Sequence, residues 1–471
     1  MRIPPPAETS AESHQRASPR PEAAPEAPRL RGVPWFGHLP ALGRDPIGVF
    51  MQAAALGHDL VRLPVANRDI YLLRRPEDVR YVLQEGRHNF SKQTRGYAAL
   101  RLMLGNGLVT SEGDFWLRQR RLAQPAFHRQ RIAGFAEKMM ELTREMLERW
   151  ESVAQRGESL DVASEMMQLT LRIVGWTLLS TEVGPDSPAV GRALNELLPQ
   201  VLRRSLTILR LPNSLPTRKN RNLREARAAL DRIVLRMITE RRQRGGDGAD
   251  LLGMLMSARD EETGEAMSDA QLRDEVMTIF LAGHETTANA LTWTLFLLSR
   301  HPDVRRRLEQ EVAEALQGRA PTALDLPKLG YALAVVQESM RLYPPVWLLM
   351  RRCESDDVIA GYRVPARAFI AVSPLIIHRD PKLFENPEGF DPERFLGERL
   401  AQIPRFGYLP FSAGPRACIG NSFALMEAQL VLASIAQRFR LDLVPGHRVE
   451  PHPAVTLRPR YGMRMIVHRA R

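Results

Sequence analysis

Thiols are scarce in this chain. Its 471 residues include two cysteines, Cys353 and Cys418. Two cannot build a disulfide framework, which points to a reducing, cytoplasmic setting. Long hydrophobic runs are missing too. None approaches the ~18–20 apolar residues that span a bilayer. The longest candidate, LTWTLFLL at 291–298, lies inside a longer helical pattern. No transmembrane segment is expected. The N-terminal stretch MRIPPPAETSAESHQRASPRPEAAPEAPRL has no apolar core, which argues against a signal peptide or anchor there. Its proline, alanine and glutamate read as a disordered lead-in over residues 1–28. Lysine is rare beside arginine, and the signatures of nucleic-acid readers are absent: no helix-turn-helix, zinc-finger spacing or aromatic RNA-binding motif. The net charge of +12 therefore reads first as solvated helix faces. An acidic protein partner is the sharper alternative, and no nucleic-acid partner is expected.

What is present fits an ordinary globular chain, 44% hydrophobic and 25% charged. With no internal repeat and no long linker after residue 28, a single domain over 29–471 is expected. Two extended runs, LVRLPV (60–65) and IYLLRR (70–75), flank the hairpin turn ANRD. Pro76 opens a helix at its first position. From about 113 to 245 the pattern is almost wholly helical, with apolar residues recurring at three and four. The stretch LTILRLPNSLPTRKN breaks it with two prolines. A long helix is predicted over 269–300. Ser268 caps it, Gln271 completes a capping box, and His301-Pro302 ends it. At ~1.5 Å per residue it runs ~48 Å, the width of a whole domain. A further helix is predicted over about 326–342. Short strands and turns follow in DDVIAGYRVPARAFIAVSPLII, then a helix in IGNSFALMEAQLVLASIAQRF. The C-terminal AVTLRPRYGMRMIVHR alternates like a hairpin. The fold class is mainly α with small β-sheets, an α+β arrangement.

Cys418 sits in FSAGPRACIG, residues 411–420. A thiolate that ligates a metal needs backbone N–H groups close by. Gly414 and Gly420 permit the tight turns that aim such groups at sulfur. The helix that starts after Cys418 adds its positive end. Arg416 offers a cation for a cofactor carboxylate, and Phe411 can shield the sulfur from water. A bare cysteine in this position is more often a buried structural thiol. A nucleophilic cysteine would need a histidine partner. Zinc is disfavoured, since no second cysteine or spaced histidine pair accompanies it. The full pattern is F-x-x-G-x-R-x-C-x-G. It resembles the haem-binding loop of the cytochrome P450 family, in which the cysteine is the proximal iron ligand.

The resemblance extends to three further segments. The long helix carries AGHETT, 282–287. Its mid-helix Gly283 costs ~1 kcal/mol against alanine. Family members have [A/G]-G-x-[D/E]-T here, over the distal haem face. The resemblance implies that Ala282 and Gly283 adjoin the haem, that Gly283 leaves room for dioxygen, that Thr286 donates a hydrogen bond on the oxygen side and that Glu285 relays protons. The plainer alternative is a helix whose threonine hydroxyls bond backwards, and both can hold. QESMRLYPP matches E-x-x-R. Glu338 and Arg341, with Arg394 of FDPERF, are implied to form a buried structural triad under the cysteine loop. GDFWLRQRRLAQPAFH matches W-x-x-x-R, so Trp116 and Arg120 are implied to hold haem propionates alongside Arg416. A further propionate partner is expected from MRRC, with Arg351 favoured over Arg352.

The similarity covers about residues 30–468, with the motifs in family order. It implies a P450 fold with haem b between the long central helix and the cysteine-loop helix. The implied reaction is monooxygenation: one atom of O2 enters a lipophilic substrate and the other leaves as water. No electron-transfer module fits in the chain, so a separate ferredoxin or flavodoxin is expected, and an acidic donor suits the basic balance. Substrate-lining positions carried over are Tyr97 to Leu102, Ala282, Val346 to Leu349 and Val455. Their apolar character implies a fatty acid, terpenoid, steroid or polyketide. Peroxide-driven or isomerising haem-thiolate enzymes and a non-catalytic haem sensor are the alternatives. Cys353 has no role in the pattern and is expected to be structural.

Overall fold

The computed structural model describes residues 23–207, 215–244, 250–260 and 264–470. Its axis is the helix Asp269–Arg300, at the predicted boundaries. Ser268 Oγ accepts from Gln271 N at 3.3 Å, and Gln271 Oε1 accepts from Ser268 N at 2.8 Å. The helix is apolar almost all round and threads the main core, where Phe280, Leu291 and Trp293 are fully enclosed. Trp293 stacks on Tyr343 with ring centroids 4.1 Å apart. Helices Val162–Leu179, Gly330–Leu342 and Asn421–Arg438 pack along it.

Twelve short strands among the described residues form four small sheets. Strands β1 (Leu60–Val65) and β2 (Arg68–Leu73) make the expected hairpin, closed by Val65↔Arg68. They continue into β8 (Phe369–Val372), β5 (Leu349–Cys353) and β3 (Phe90–Ser91), in the order β1-β2-β8-β5-β3. Only the β2–β8 pairing is parallel. Strands β6 (Asp357–Ile359) and β7 (Tyr362–Val364) pair with each other, and so do β10 (Pro451–Pro453) and β11 (Leu457–Pro459). The remaining sheet has the order β4-β12-β9, from Ser159–Asp161, Arg464–Arg469 and Phe439–Leu443.

Three expectations are revised. The C-terminal segment is no hairpin, because β11 and β12 belong to different sheets. The alternation in β12 is real, with Met465 and Val467 buried. Its partners, however, come from far along the chain, and Val162 N donating to Met463 O at 2.9 Å ties it to β4. The helix expected from 326 starts at Gly330, since Pro327 confines 323–328 to a 3-10 turn. Residues 23–28, assigned by composition to the lead-in, are held in place. Ala27 is buried, and Arg62 N donates to Pro28 O at 2.8 Å. Residues 1–22 lie outside the described part, as do 208–214 of the proline-broken stretch.

Below the central helix, Glu338, Arg341 and Arg394 meet in the core. Arg341 forks onto Glu338 at 2.6 and 2.8 Å, and Arg394 Nε reaches Glu338 Oε1 at 3.3 Å. The remaining Arg341 donors go to the carbonyls of His378, Pro387 and Gly389 at 2.6–2.8 Å. The cluster thus fixes the irregular chain that leads into the cysteine loop.

Candidate active site

A cavity of about 550 Å³ opens between the central helix and the cysteine loop. Cys418 lies on one wall, and Ala282, Gly283 and Thr286 lie on the other. The loop is shaped by its backbone. Ser412 and Gly414 have φ of +60° and +70°. A Cβ at Gly414 would come within 2.4 Å of Leu83 O, so only glycine fits there. Cys418 N donates to Phe411 O at 2.9 Å, which closes the loop. Gly420, the N-cap of Asn421–Arg438, turns its N–H to the Cys418 sulfur. Cys418 has accessible surface, yet protein encloses it, so that surface faces the cavity. Burial raises its thiol pKa, while the Gly420 N–H and the Arg120 charge act in the opposite sense. Burial outweighs the Gly420 N–H and the Arg120 charge, which favour the thiolate.

On one flank four cations converge, with a single carboxylate nearby: Glu112, which accepts from Lys92 N and whose charge reaches Lys92 and Arg416. Arg416 lies over the Trp116 ring at 3.8 Å and donates to Ser111 O at 2.7 Å. Arg120 donates to Ala417 O at 3.0 Å. Arg351 is buried and donates to Met350 O at 3.0 Å, with the Tyr97 hydroxyl at 3.4 Å. Arg352 turns away to Glu354 and Gln93. The fourth cation, Lys92, donates to Val109 O at 2.8 Å and was not foreseen. Burial, then Arg351 and Arg416, push the Lys92 ammonium well below its usual range. Burial, then Arg351, bring Arg416 down to about 10. Among the described residues no carboxylate stands within ion-pair distance of any of the four. Such a flank suits an anionic guest.

The model of the family described as Cytochrome P450 matches residues 27–465. The chain belongs to the cytochrome P450 family. This P450 is 40% identical over 429 residues to cyclooctatin synthase of Streptomyces melanosporofaciens, covering 90% of this chain and 92% of that one. It is also 40% identical to cyclooctat-9-en-7-ol 5-monooxygenase of the same organism, with the same coverage. Identity to pentalenene oxygenase of Streptomyces avermitilis is 34%, over 90% of this chain and 93% of that one. Among solved structures, the cytochrome P450DA heme domain superposes with a TM-score of 0.86 at 30% identity, covering 95% and 98% of the two chains. The P450 is thus a haem b monooxygenase with the mainly helical fold of its family. No helix among its described residues is long and apolar enough to cross a membrane.

Haem b carries two propionates, and the cationic flank fits them: Lys92, Arg120, Arg351 and Arg416 would hold them, with Trp116 stacked behind Arg416. A Lys92→Met variant should lose haem to a scavenging apoprotein roughly tenfold faster or more, because a hydrogen bond to a charged group is worth ~1.5–3 kcal/mol. An unchanged transfer rate would remove Lys92 from the set. Nothing in the sequence marks Lys92; it acts through a strand and loop placed beside the cysteine loop only by folding.

The opposite wall adds packing and hydrogen bonds around the AGHETT segment. A Cβ at Gly283 would lie 3.1 Å from Val174 Cγ2. The glycine thus allows close packing against Val162–Leu179 while also lining the cavity, to which Ala282 presents its exposed face. Thr286 Oγ1 donates back to Ala282 O at 2.8 Å while lining the cavity. Glu285 is buried, and its Oε1 accepts from Thr456 Oγ1 at 2.5 Å. Burial raises its pKa, opposed by the Arg458 charge and the Thr456 hydroxyl. Tyr97, Leu100, Val346, Leu348, Leu349 and Val455 line the cavity as expected. So do Leu178, Leu194, Leu198 and Val201, on helices whose apolar stripes read in sequence as ordinary core. Cys353 is buried at the end of β5, its thiol donating to Ser355 O at 3.0 Å and its pKa pushed up to about 12 by burial first.

Proposed function

We propose that this P450 oxygenates a cyclic, largely hydrocarbon terpenoid, with Cys418 as the thiolate that would hold its haem iron. The observation that carries this reading is the opposition of Cys418 and the Ala282–Thr286 segment across one apolar cavity. Haem, when bound, supplies O2 activation and the electron-rich thiolate assists it. The chain does the rest. Phe411 and the 411–420 loop keep water from the sulfur. Leu100, Val346, Leu349 and Val455 orient the guest by shape, since they offer it no charge. Thr286 holds its hydroxyl at the cavity wall, released from Ala282 O when a better acceptor arrives, and Glu285 stands beside it as the proton source. The names of three relatives specify a cyclic alkenol, cyclooctatin and pentalenene. Those names, with the apolar lining, favour a terpenoid.

Electrons come from a separate acidic ferredoxin or flavodoxin that docks on the face behind Cys418. Two measurements test the reading. Titration with pentalenene and related cyclic terpenes should give a saturable displacement of the distal water in the Soret spectrum, and fatty acids should not. Thr286→Ala should divert most electrons to peroxide and lower product per NADPH roughly tenfold or more. Unchanged coupling would exclude Thr286 from proton delivery.

A further inference from the structure

The carboxyl group of Glu285 is held by a distant turn. It accepts from Thr456, which lies between β10 and β11. That turn joins two short strands and is fixed at four points, one of them its own closing bond. Trp293 Nε1 donates to Leu457 O and Trp347 Nε1 to Ala454 O, both at 3.0 Å. Leu457 N donates to Pro345 O at 2.9 Å, and Ala454 N to Thr456 O at 3.1 Å. Asn289, one turn beyond Glu285 on the central helix, places Nδ2 3.4 Å from Thr456 Oγ1. The hydroxyl thus accepts on one side and donates to Glu285 on the other. Thr456 is a polar residue between Val455 and Leu457, almost fully buried. A buried hydroxyl in such company is costly unless it bonds. The adjacent Val455 lines the cavity, so one turn touches both the guest and the acid.

We infer that Thr456, supported by Asn289, is a positioning residue that sets the place of the Glu285 carboxyl group for proton delivery. This rests on the reading of Glu285 and Thr286 as the proton-delivering pair. Arg458 on β11 supplies the nearby charge, and the turn fixes its distance as well. In the Thr456→Val variant shape is kept and the donor is lost. In Thr456→Ser the donor is kept.

The deciding experiment is infrared titration of the haem-loaded full chain, with the Glu285 carboxyl band assigned by its loss in Glu285→Gln. The band should titrate at higher pH in Thr456→Val, because a donor that stabilises the carboxylate is gone, and near the wild-type pH in Thr456→Ser. Alongside it, oxygen-consuming turnover is driven by a surrogate ferredoxin and reductase. Peroxide per O2 should rise roughly threefold to tenfold in Thr456→Val, a part of the ~10²–10⁴ that a positioned acid contributes, and return in Thr456→Ser. An unmoved band in Thr456→Val, or valine and serine variants that behave alike, overturns the inference. If Glu285→Gln itself leaves the peroxide ratio unchanged, the proton-delivery reading falls and Thr456 loses its positioning role with it, whatever the band shows.

Discussion

Cys418→His is expected to move the Soret band of the reduced, carbon-monoxide-bound protein from the far-red position of thiolate-ligated haem to that of histidine-ligated haem, and to abolish product formation. The loop is arranged around a small anionic sulfur: one backbone N–H from Gly420 and the charge of Arg120 face it. The close approach of Gly414 to Leu83 O leaves no slack for the loop to shift. An imidazole is larger and neutral, and it donates no comparable electron density towards the oxygen that must be cleaved. Loss of activity should therefore be complete within assay limits even where haem is retained. Cys353→Ser serves as the control and should leave the band in place, since Cys353 lies in the sheet and does not line the cavity. A Cys418→His protein that keeps the red-shifted band would place the sulfur away from the metal.

Arg341→Ala is expected to cost ~3–5 kcal/mol, the penalty for stripping one partner from a fully buried ion pair. Arg341 and Glu338 have no exposed side-chain surface. Removing the guanidinium leaves Glu338 with only Arg394 and the Asp391 N–H, and orphans the carbonyls of His378, Pro387 and Gly389. Against a typical total of ~5–15 kcal/mol, such a loss should appear as lower denaturant midpoints and poor haem incorporation. Arg341→Lys should rescue little, because an ammonium cannot fork onto Glu338 while reaching three carbonyls. The exposed pair Arg156–Glu158 provides the contrast: Arg156→Ala should leave the midpoint unchanged. An Arg341→Ala protein as stable as wild type would show that the cluster does not hold the approach to the cysteine loop.

Much of the site was readable because its constraints are local. The turn at Gly414, the N–H at Gly420 and the helix start at Asn421 lie within a few residues of Cys418, so one short pattern records them. The capping box at Ser268 and Gln271 marks the central helix for the same reason. Arg351 was favoured over Arg352 on its spacing to Gly361, whereas it is the alternation along β5 that turns the two neighbours to opposite faces. Other features left no such mark. Lys92 is one lysine after a two-residue strand. Gly283 read as room for oxygen, and nothing in the sequence showed that its missing Cβ also accommodates Val174. The last strand showed its alternation but not its partners.

By itself the sequence determined the elements, their caps and the residues that chemistry demands close together in the chain: sulfur, glycines, arginine, acid and alcohol. Only the tertiary structure decided which distant groups complete them. Four cations gather on one flank with no ion-pair partner among the described residues, and a hydroxyl from a C-terminal turn holds the acid of the central helix. The reason is physical: local backbone geometry depends on near neighbours, whereas burial, charge pairing and cavity shape depend on contacts between segments hundreds of residues apart.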